Sequence, residues 1–338
     1  MKTTRDWMGW LLMTFLLAGC GGTDNQDTGH STADAAARWT IGLSQGAIEN
    51  AFDRCVRDEV VAAAGQHADV ELLAEDAGDD ATLQQRQVRD MITAGVDLII
   101  ICPAEAVALT APVGEAIDAG IPVIVLDRPV VGDKYTCLID VDNRALGEAA
   151  GRWLVDRLDG TGNLVELQGL MTDTAAIRRH EGFRDAIVDA DFDILFHADT
   201  RWLEADARKA MQSALEQYDN IDAVFAHSDT IAQGACLAAE QAGRREDMLV
   251  VGVGGLPGEG RRYVEQRRID ASFEYPTGGR EAVDVALRIL RGAEPQKNIV
   301  LPFRFYTREN VEHGGELVNH AAAADVQNLA SGETGRDR

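Results

Sequence analysis

Short apolar runs alternate with amphipathic stretches along most of the chain. Runs such as WTIGLS, DVELLA and VDLIII are typical of buried strands. The stretches between them repeat apolar residues at helical spacing, as Phe52, Val56 and Val60 do. A second series of alternating strand-like and helix-like stretches begins after CLIDVDN (137–143). The pattern predicts an α/β fold of two doubly wound parallel-sheet units in tandem, with later helices expected over 107–119, 204–217, 230–242 and 278–291.

The stretch IPVIVLDRP (121–129) predicts a strand buried on both faces, followed at once by Asp127 and Arg128. Ligands of doubly wound sheets bind beyond the carboxyl ends of the strands. A carboxylate accepts hydrogen bonds from vicinal hydroxyls, and a guanidinium donates several in a fixed geometry. The pair is therefore suited to holding one polyol from two sides. An ion pair or a loop cap is the alternative that spacing alone leaves open.

Other predicted strand ends carry residues of the same kinds. Arg179 lies near the start of a predicted helix, and Trp202 stands between a strand and a helix without an obvious core face. Two further ends carry Ser228, Asp229 and Glu274, although Asp229 also suits a helix N-cap. Aromatic faces cover the apolar C–H surface of a sugar, and charged groups bind its hydroxyls. These positions predict recognition of a neutral sugar.

The first residues have the organisation of an export signal. Lys2 and Arg5 precede an apolar core that is too short to span a bilayer comfortably, and the core ends at LAGC. LAGC resembles the bacterial lipobox, which implies cleavage before Cys20 and lipid on its thiol. A signal peptide over 1–19 and a flexible lipidated tether over 20–37 are expected. The protein would be exported and anchored to a bacterial membrane only by that lipid. A short signal-anchor helix with an incidental cysteine is the alternative.

Composition and motifs narrow the class of function. A formal charge of −24 argues against nucleic acid or an anionic membrane surface as a partner. The sequence has no P-loop, nucleophile elbow or metal-spaced histidine pair, and GVGGLPG has Pro257 where a dinucleotide loop needs its third glycine. We therefore expect no enzyme, no cofactor and no metal site. Buried thiols rather than disulfides are expected at Cys55, Cys102, Cys137 and Cys236.

Eight sequence motifs follow one another between about Trp39 and Tyr306, in the order and at the spacing of one known protein family. They are IGLSQGAIENAF, VDLIIICP, IPVIVLDRP, VDN, VELQG with the following AAIRRHEGF, VFAHSD, VVGVGG and ASFEYP. With them the chain resembles the ribose-type periplasmic sugar-binding proteins, most of all the galactofuranose-binding subgroup. The resemblance implies the type I periplasmic binding protein fold and a monomer that passes a sugar to an ABC transporter permease. A sensing partner of a chemoreceptor or membrane sensor kinase uses the same closure, so this alternative stays open.

The resemblance also implies two lobes joined by a three-strand hinge, with the ligand between them. The crossings are expected near Asp142, Glu274 and Leu301. The implied division is lobe one over 38–141 and 275–301, lobe two over 142–274 and 302–311, and a polar tail over 312–338.

The same resemblance implies which residues contact the sugar. Hydroxyls would be bound by Asp127, Arg128 and Arg179, while Phe52 and Trp202 would stack on the ring. Further implied ligand-binding positions are Ser44, Gln45, Glu49, Asp142, Ser228, Asp229 and Glu274. The sequence departs from the family where Ser228 replaces the usual asparagine. Gly254 occupies the position of a ligand-binding aspartate, so two acceptor oxygens are missing there.

Overall fold

Two sheets organise the computed structural model, which describes residues 39–318. The strands are β1 (Trp39–Gln45), β2 (Val70–Asp76), β3 (Leu98–Cys102), β4 (Val123–Leu126), β5 (Cys137–Asp140), β6 (Thr161–Gln168), β7 (Asp191–Asp199), β8 (Ala223–Ala226), β9 (Leu249–Gly254), β10 (Ala271–Glu274), β11 (Asn298–Val300), β12 (Phe303–Thr307) and β13 (Glu316–Val318). The helices are α1 (Ala51–Ala64), α2 (Ala81–Ala94), α3 (Ala106–Asp118), α4 (Asn143–Arg157), α5 (Thr174–Ala186), α6 (Glu204–Gln217), α7 (Asp229–Gln241), α8 (Gly260–Glu265) and α9 (Gly279–Leu290). The expected signal peptide, Cys20 and tether lie outside the described residues, as does the chain after 318.

The first sheet is parallel throughout and has the strand order β11-β5-β4-β3-β1-β2. The second has the order β13-β12-β10-β9-β8-β6-β7, in which β12 and β13 run antiparallel at one edge. We call the part of the chain around the first sheet lobe one and the part around the second lobe two. Residues 98–101 of β3 and all of β4 and β8 are buried, because helices cover both faces of each sheet. The predicted class of two doubly wound lobes is confirmed.

The chain crosses between the lobes three times. It leaves lobe one between β5 and α4, returns between β10 and α9, and leaves again between β11 and β12. The return is fixed by Gly278 and Gly279 at the start of α9. Gly278 has a φ of 68° and lies against Leu126 of lobe one, where a side chain would not fit. The crossings thus fall at residues 141–142, 275–278 and 301–302.

Most helix bounds follow the sequence pattern closely. The four helices expected from residue 107 onward appear as α3, α6, α7 and α9, each within one residue of its predicted ends. The N-cap of α7 is Ser228, whose Oγ accepts a hydrogen bond from the N–H of Ile231 at 3.2 Å. The alternative that made Asp229 the N-cap is therefore wrong. In the described part of the chain, no helix is both long and apolar enough to cross a membrane.

The segment expected as a polar tail from residue 312 still contains a strand. β13 pairs with β12, with Phe303 opposite Val318 and Phe305 opposite Glu316. A strand of three residues is too short to show a two-residue period in sequence, so the pattern did not reveal it. Lobe two therefore extends beyond the predicted limit of residue 311.

Helices α4 and α5 approach each other through two glycines. A Cβ atom on Gly147 would lie 2.0 Å from the carbonyl oxygen of Arg179, and one on Gly182 would lie 1.9 Å from that of Arg144. Real side chains never approach backbone so closely, hence only glycine allows this contact. The packing of the two helices sets the position of Arg179 in lobe two.

Replacing Gly147 with alanine should push the two helices apart. We expect Gly147→Ala to lower the free energy of unfolding by about 2 kcal/mol, because overpacking outweighs the gain in helix propensity. Urea unfolding followed by circular dichroism measures this. Gly258→Ala is the control, since no atom lies within 4 Å of the added Cβ. Equal stability of the two variants would show that the helices can separate without cost.

Candidate ligand-binding site

A cleft of about 970 Å³ opens where the two lobes and the crossing segments meet. This volume suits a small-molecule ligand. Lobe one, lobe two and the crossings all contribute to its walls, and the lining residues include Asp127, Arg128, Asp140, Asp142, Thr172, Asp173, Trp202 and Tyr275. Of the predicted site residues, Asp127, Arg128, Asp142 and Trp202 line this cleft directly.

Asp127 and Arg128 follow β4, and each charge has its own partner. Asp127 has a φ of 70°, a left-handed conformation that is uncommon outside glycine and often marks functional sites. Its Oδ1 accepts a hydrogen bond from the hydroxyl of Tyr275 at 2.7 Å. Arg128 donates instead to the carbonyl oxygens of Pro103, at 3.1 Å, and Ala104. The two side chains therefore have separate partners and do not pair with each other. Arg128 caps the loop at Pro103 and Ala104, as the loop-cap alternative predicted.

Arg179 lies beneath the cleft, within α5 rather than near its start at Thr174. Only 5% of its surface is exposed. Its Nε donates to Oδ1 of Asn143 at 2.9 Å, and its Nη1 donates to the carbonyl oxygen of His227 at 2.6 Å. The guanidinium also lies 4.7 Å from the ring centre of Tyr275 and 5.4 Å from that of Trp202. Arg179 thus supports two aromatic rings that line the cleft.

The aromatic wall consists of Trp202 and Tyr275, with Phe52 packed against Tyr275. Trp202 follows β7 with a φ of 64° and lies flat against Gly169, where a Cβ would come within 2.3 Å of the indole. Phe52 lines no cleft surface itself but contacts Tyr275, with ring centres 5.2 Å apart. Sequence analysis did not select Tyr275. Its position could have identified it, because in ASFEYP this tyrosine directly follows a strand end at an expected crossing between the lobes.

The predicted residues of the β1 end lie behind the cleft or beside it. The Ser44 side chain is buried and accepts a hydrogen bond from Gln84 at 3.2 Å. Gln45 donates to the carbonyl of Asp53 at 3.0 Å, while its buried Oε1 has no partner among the described residues. Glu49 is exposed. Asp142 lines the cleft and also caps α4, accepting from the N–H of Ala145 at 2.9 Å.

On lobe two, Asp229 turns inward. It accepts hydrogen bonds from the Ser272 hydroxyl at 2.8 Å and from the N–H of Gly255 at 2.6 Å. Burial raises the pKa of Asp229 to about 7, against the lowering effect of these hydrogen bonds. A Cβ on Gly254, whose φ is 152°, would lie 2.5 Å from Oδ2 of Asp229. The inward carboxylate therefore explains why this position carries glycine and no acid.

Glu274 likewise has partners within lobe two. It forms an ion pair with Arg261 at 3.1 Å and accepts from the hydroxyl of Tyr306 and the N–H of Arg304, each at 3.2 Å. Together with Ser228 and Asp229 it stands outside the residues that line the cleft. The lobe-two wall is formed instead by Trp202 and the segment around Asp173.

A buried polar cluster that the sequence did not reveal lies behind Arg179. Glu166 of β6 is fully buried and lies 2.8 Å from Nδ1 of His180, 3.1 Å from Nε2 of His227 and 3.1 Å from Nε of Arg184. Burial alone would raise the pKa of Glu166, but the hydrogen bonds from both histidines hold it well below its usual range. Two hydrogen bonds hold His227 in place. Its ring nitrogen Nε2 bonds Glu166, and its backbone carbonyl accepts a hydrogen bond from Arg179.

The described residues show free thiols at Cys55, Cys102, Cys137 and Cys236. Within residues 39–318, no group of three or more histidine, cysteine or acidic side chains is placed to hold a metal ion. The chemistry that this site offers is hydrogen bonding, charge and aromatic contact.

The buried Asp229 should make stability depend on pH. With a raised pKa, the folded state keeps a proton between about pH 4 and 7 that the unfolded chain releases, so the free energy of unfolding falls as pH rises through this range. Asp229→Asn cannot titrate. We expect the free energy of unfolding of the wild type, relative to that of the variant, to fall from pH 4.5 to 7.5, by at most about 1.4 kcal/mol per pH unit. Urea unfolding at constant ionic strength measures it, and a difference that stays constant with pH would contradict the assignment.

Comparison with known proteins places this geometry in a family. A model of the periplasmic binding protein domain matches residues 41–294. The galactofuranose-binding protein YtfQ of Escherichia coli is 32% identical over 67% of this chain and 74% of its own length. The ribose import binding protein RbsB of Bacillus subtilis is 28% identical over 88% of this chain and 97% of its own length.

Solved structures agree with this result. The fructose-binding periplasmic domain of a hybrid two-component system is 37% identical, covers 81% of this chain and 92% of its own, and has a TM-score of 0.75. The arabinose-transporter binding protein of Shewanella sp. ANA-3, solved with arabinofuranose, is 30% identical, covers 81% and 93%, and has a TM-score of 0.74. The expected resemblance to ribose-type sugar-binding proteins is confirmed, as is a binding protein rather than an enzyme. This chain belongs to the periplasmic binding protein family.

Proposed function

We propose that this protein captures a sugar in the cleft between its lobes and delivers it to an ABC transporter in the periplasm. The observation that carries the proposal is that polar and aromatic groups of both lobes converge on one cleft. Asp127 and Arg128 come from lobe one, and Trp202 and the underlying Arg179 come from lobe two. Relatives named for ribose, galactofuranose and arabinose binding support the same ligand class.

The proposed contacts follow from the chemistry of each wall. Asp127 accepts hydrogen bonds from ligand hydroxyls, Arg128 donates to ligand oxygens, and the indole of Trp202 covers one face of the sugar ring. Tyr275 stands between the lobes and orients the Asp127 carboxylate. Because a ligand touches both lobes only when they are closed, its binding favours the closed state by those additional contacts. A transporter that recognises the closed form would then receive only loaded protein.

Export and anchoring form part of the proposal. The N-terminal sequence supports export and anchoring to the membrane through lipid on Cys20, and the family resemblance supports a monomer. Metabolic labelling with a radioactive fatty acid tests this directly. Label should enter the wild-type protein and be absent from Cys20→Ala.

A sensing role is the second candidate, and one comparison favours it. The relative at 37% identity is the periplasmic domain of a hybrid two-component system. Gene deletion separates the two roles. Loss of sugar uptake supports transport, whereas intact uptake with a lost transcriptional response supports sensing.

Calorimetric titration tests the proposal itself. The panel consists of pentoses, hexoses and ketoses and includes sugars that adopt the furanose ring form. At least one of them should bind with one-to-one stoichiometry and a Kd on the order of 1 μM or below. Chemically unchanged sugar should be recovered from the complex. Absence of binding across the panel, or recovery of a converted product, would overturn the proposal.

Tyr275→Phe tests the contact between the crossing segment and lobe one. The variant keeps the ring but removes the hydroxyl that donates to Asp127. Without this hydrogen bond the Asp127 carboxylate is free to turn away from the ligand hydroxyls, so we expect the affinity for the best sugar of the panel to fall by roughly tenfold, about 1.4 kcal/mol. Tyr135→Phe is the control, because that hydroxyl bonds Asn298 outside the cleft. Equal affinities of the two variants would remove Tyr275 from the site.

A further inference from the structure

Lobe two buries one charged side chain that the proposed contacts with a sugar do not use. Glu166 is 0% exposed, and its neighbours along β6, Val165 and Leu167, are apolar and equally buried. Moving a carboxylate out of water is costly unless several donors compensate for the lost hydration. An apolar side chain would fill this position in the strand without that cost, so the stability of the sheet does not account for a carboxylate here.

Three donors hold the Glu166 carboxylate in one orientation. Its Oε1 lies 2.8 Å from Nδ1 of His180 and 3.1 Å from Nε2 of His227. Its Oε2 accepts a hydrogen bond from Nε of Arg184 at 3.1 Å. His180 and Arg184 belong to α5, one turn apart, whereas His227 directly follows β8. His227 also bonds Arg179, and it therefore connects the buried carboxylate to the support of the cleft.

The carboxylate fixes both the tautomer and the rotation of the His227 ring. Burial lowers the pKa of His227 against the opposing effect of Glu166, so the ring is neutral at pH 7. A neutral ring places its proton on the nitrogen that faces a carboxylate, which makes Nε2 the donor and Nδ1 an acceptor. Nδ1 is buried and has no hydrogen-bond partner in the described chain. Glu166 is thus the partner that anchors the polar edge of the ring.

The backbone carbonyl of His227 in turn holds Arg179. Nη1 of Arg179 donates to this carbonyl at 2.6 Å, and its Nε donates to Oδ1 of Asn143 at 2.9 Å. Two acceptors on different elements fix both the position and the plane of a guanidinium. Its central carbon lies 4.7 Å from the ring centre of Tyr275 and 5.4 Å from that of Trp202. Both rings line the cleft, whereas Arg179 is not among the lining residues.

We infer that Glu166 is a positioning residue for sugar binding, and that it acts through His227 and Arg179 on the two aromatic rings of the cleft. The inference rests on the proposed function, because it assigns a role in binding the same sugar. Glu166 anchors the His227 ring, the His227 carbonyl orients the guanidinium, and the guanidinium holds both ring faces. Without the anchor, the peptide group of His227 can turn, and the guanidinium loses one of its two acceptors. The rings are then less well ordered before the sugar arrives, so the affinity falls.

A double-mutant cycle tests this path by calorimetry with the best sugar of the panel. His227→Phe keeps an aromatic ring and the backbone carbonyl but removes the bond to Glu166, which retains its two other donors. We expect the variant to bind the sugar about tenfold more weakly than the wild type, as for the loss of one ordering hydrogen bond. In an Arg179→Gln background the same substitution should change the affinity by less than about twofold, because the group on which it acts is absent.

His180→Phe is the matched control, since it removes the other histidine from the same carboxylate oxygen. His180 bonds Glu166 and Gln168 but not Arg179, so this variant should keep the wild-type affinity within about twofold. Urea unfolding of each variant verifies that it is folded under the conditions of the titration. If His227→Phe does not fold, Glu166→Gln takes its place in the cycle with the same expected result.

The inference and the proposed function fail in different ways. Equal losses of affinity in the wild-type and Arg179→Gln backgrounds would overturn the inference while the proposed function stands, because a general loss of order does not depend on Arg179. A loss for His180→Phe as large as that for His227→Phe would overturn it as well. If no sugar of the panel binds the wild type, the proposed function is rejected, and the inference with it.

Discussion

The site depends on the position of one ring, that of Tyr275. Its hydroxyl donates to Asp127 of lobe one, and its face lies against the guanidinium of Arg179 of lobe two. The residue belongs to neither sheet but to the segment that returns from lobe two to lobe one. A single side chain thus connects the polar wall of one lobe with the aromatic wall of the other. Because Tyr275 lies in a crossing segment, it makes both contacts where the two lobes join.

The lobe-two interior shows how one substitution requires another. Asp229 occupies the space that a side chain at position 254 would need, and it takes hydrogen bonds from Ser272 and Gly255. The inward position of Asp229 therefore requires glycine at position 254. Glu274 is similarly committed to Arg261 and Tyr306. The lining of the cleft consequently includes Asp127, Asp140 and Trp202 but neither Asp229 nor Glu274.

The sequence predicted the fold well, because buried parallel strands and amphipathic helices leave strong periodic signals. It also identified Asp127, Arg128 and Trp202 at strand ends, since topology brings such ends to one edge of a sheet. Tyr275 was missed because an aromatic residue beside a proline has the same local pattern whether it packs in a core or faces a cleft. The Glu166 cluster was missed for a different reason. Its members lie on separate elements, and only the packing of α5 against β6 and β8 brings them together.

The glycine contact between α4 and α5 has a mechanical consequence. α4 begins at the first crossing with Asp142 as its cap, and α5 carries Arg179. Since Gly147 and Gly182 leave no gap between the two helices, we expect the pair to move as one body. Trp202 belongs to the same lobe as Arg179 and would keep its contact, whereas Tyr275 lies in the crossing. A rotation of lobe two about the crossings would therefore slide the Arg179 guanidinium across the face of Tyr275.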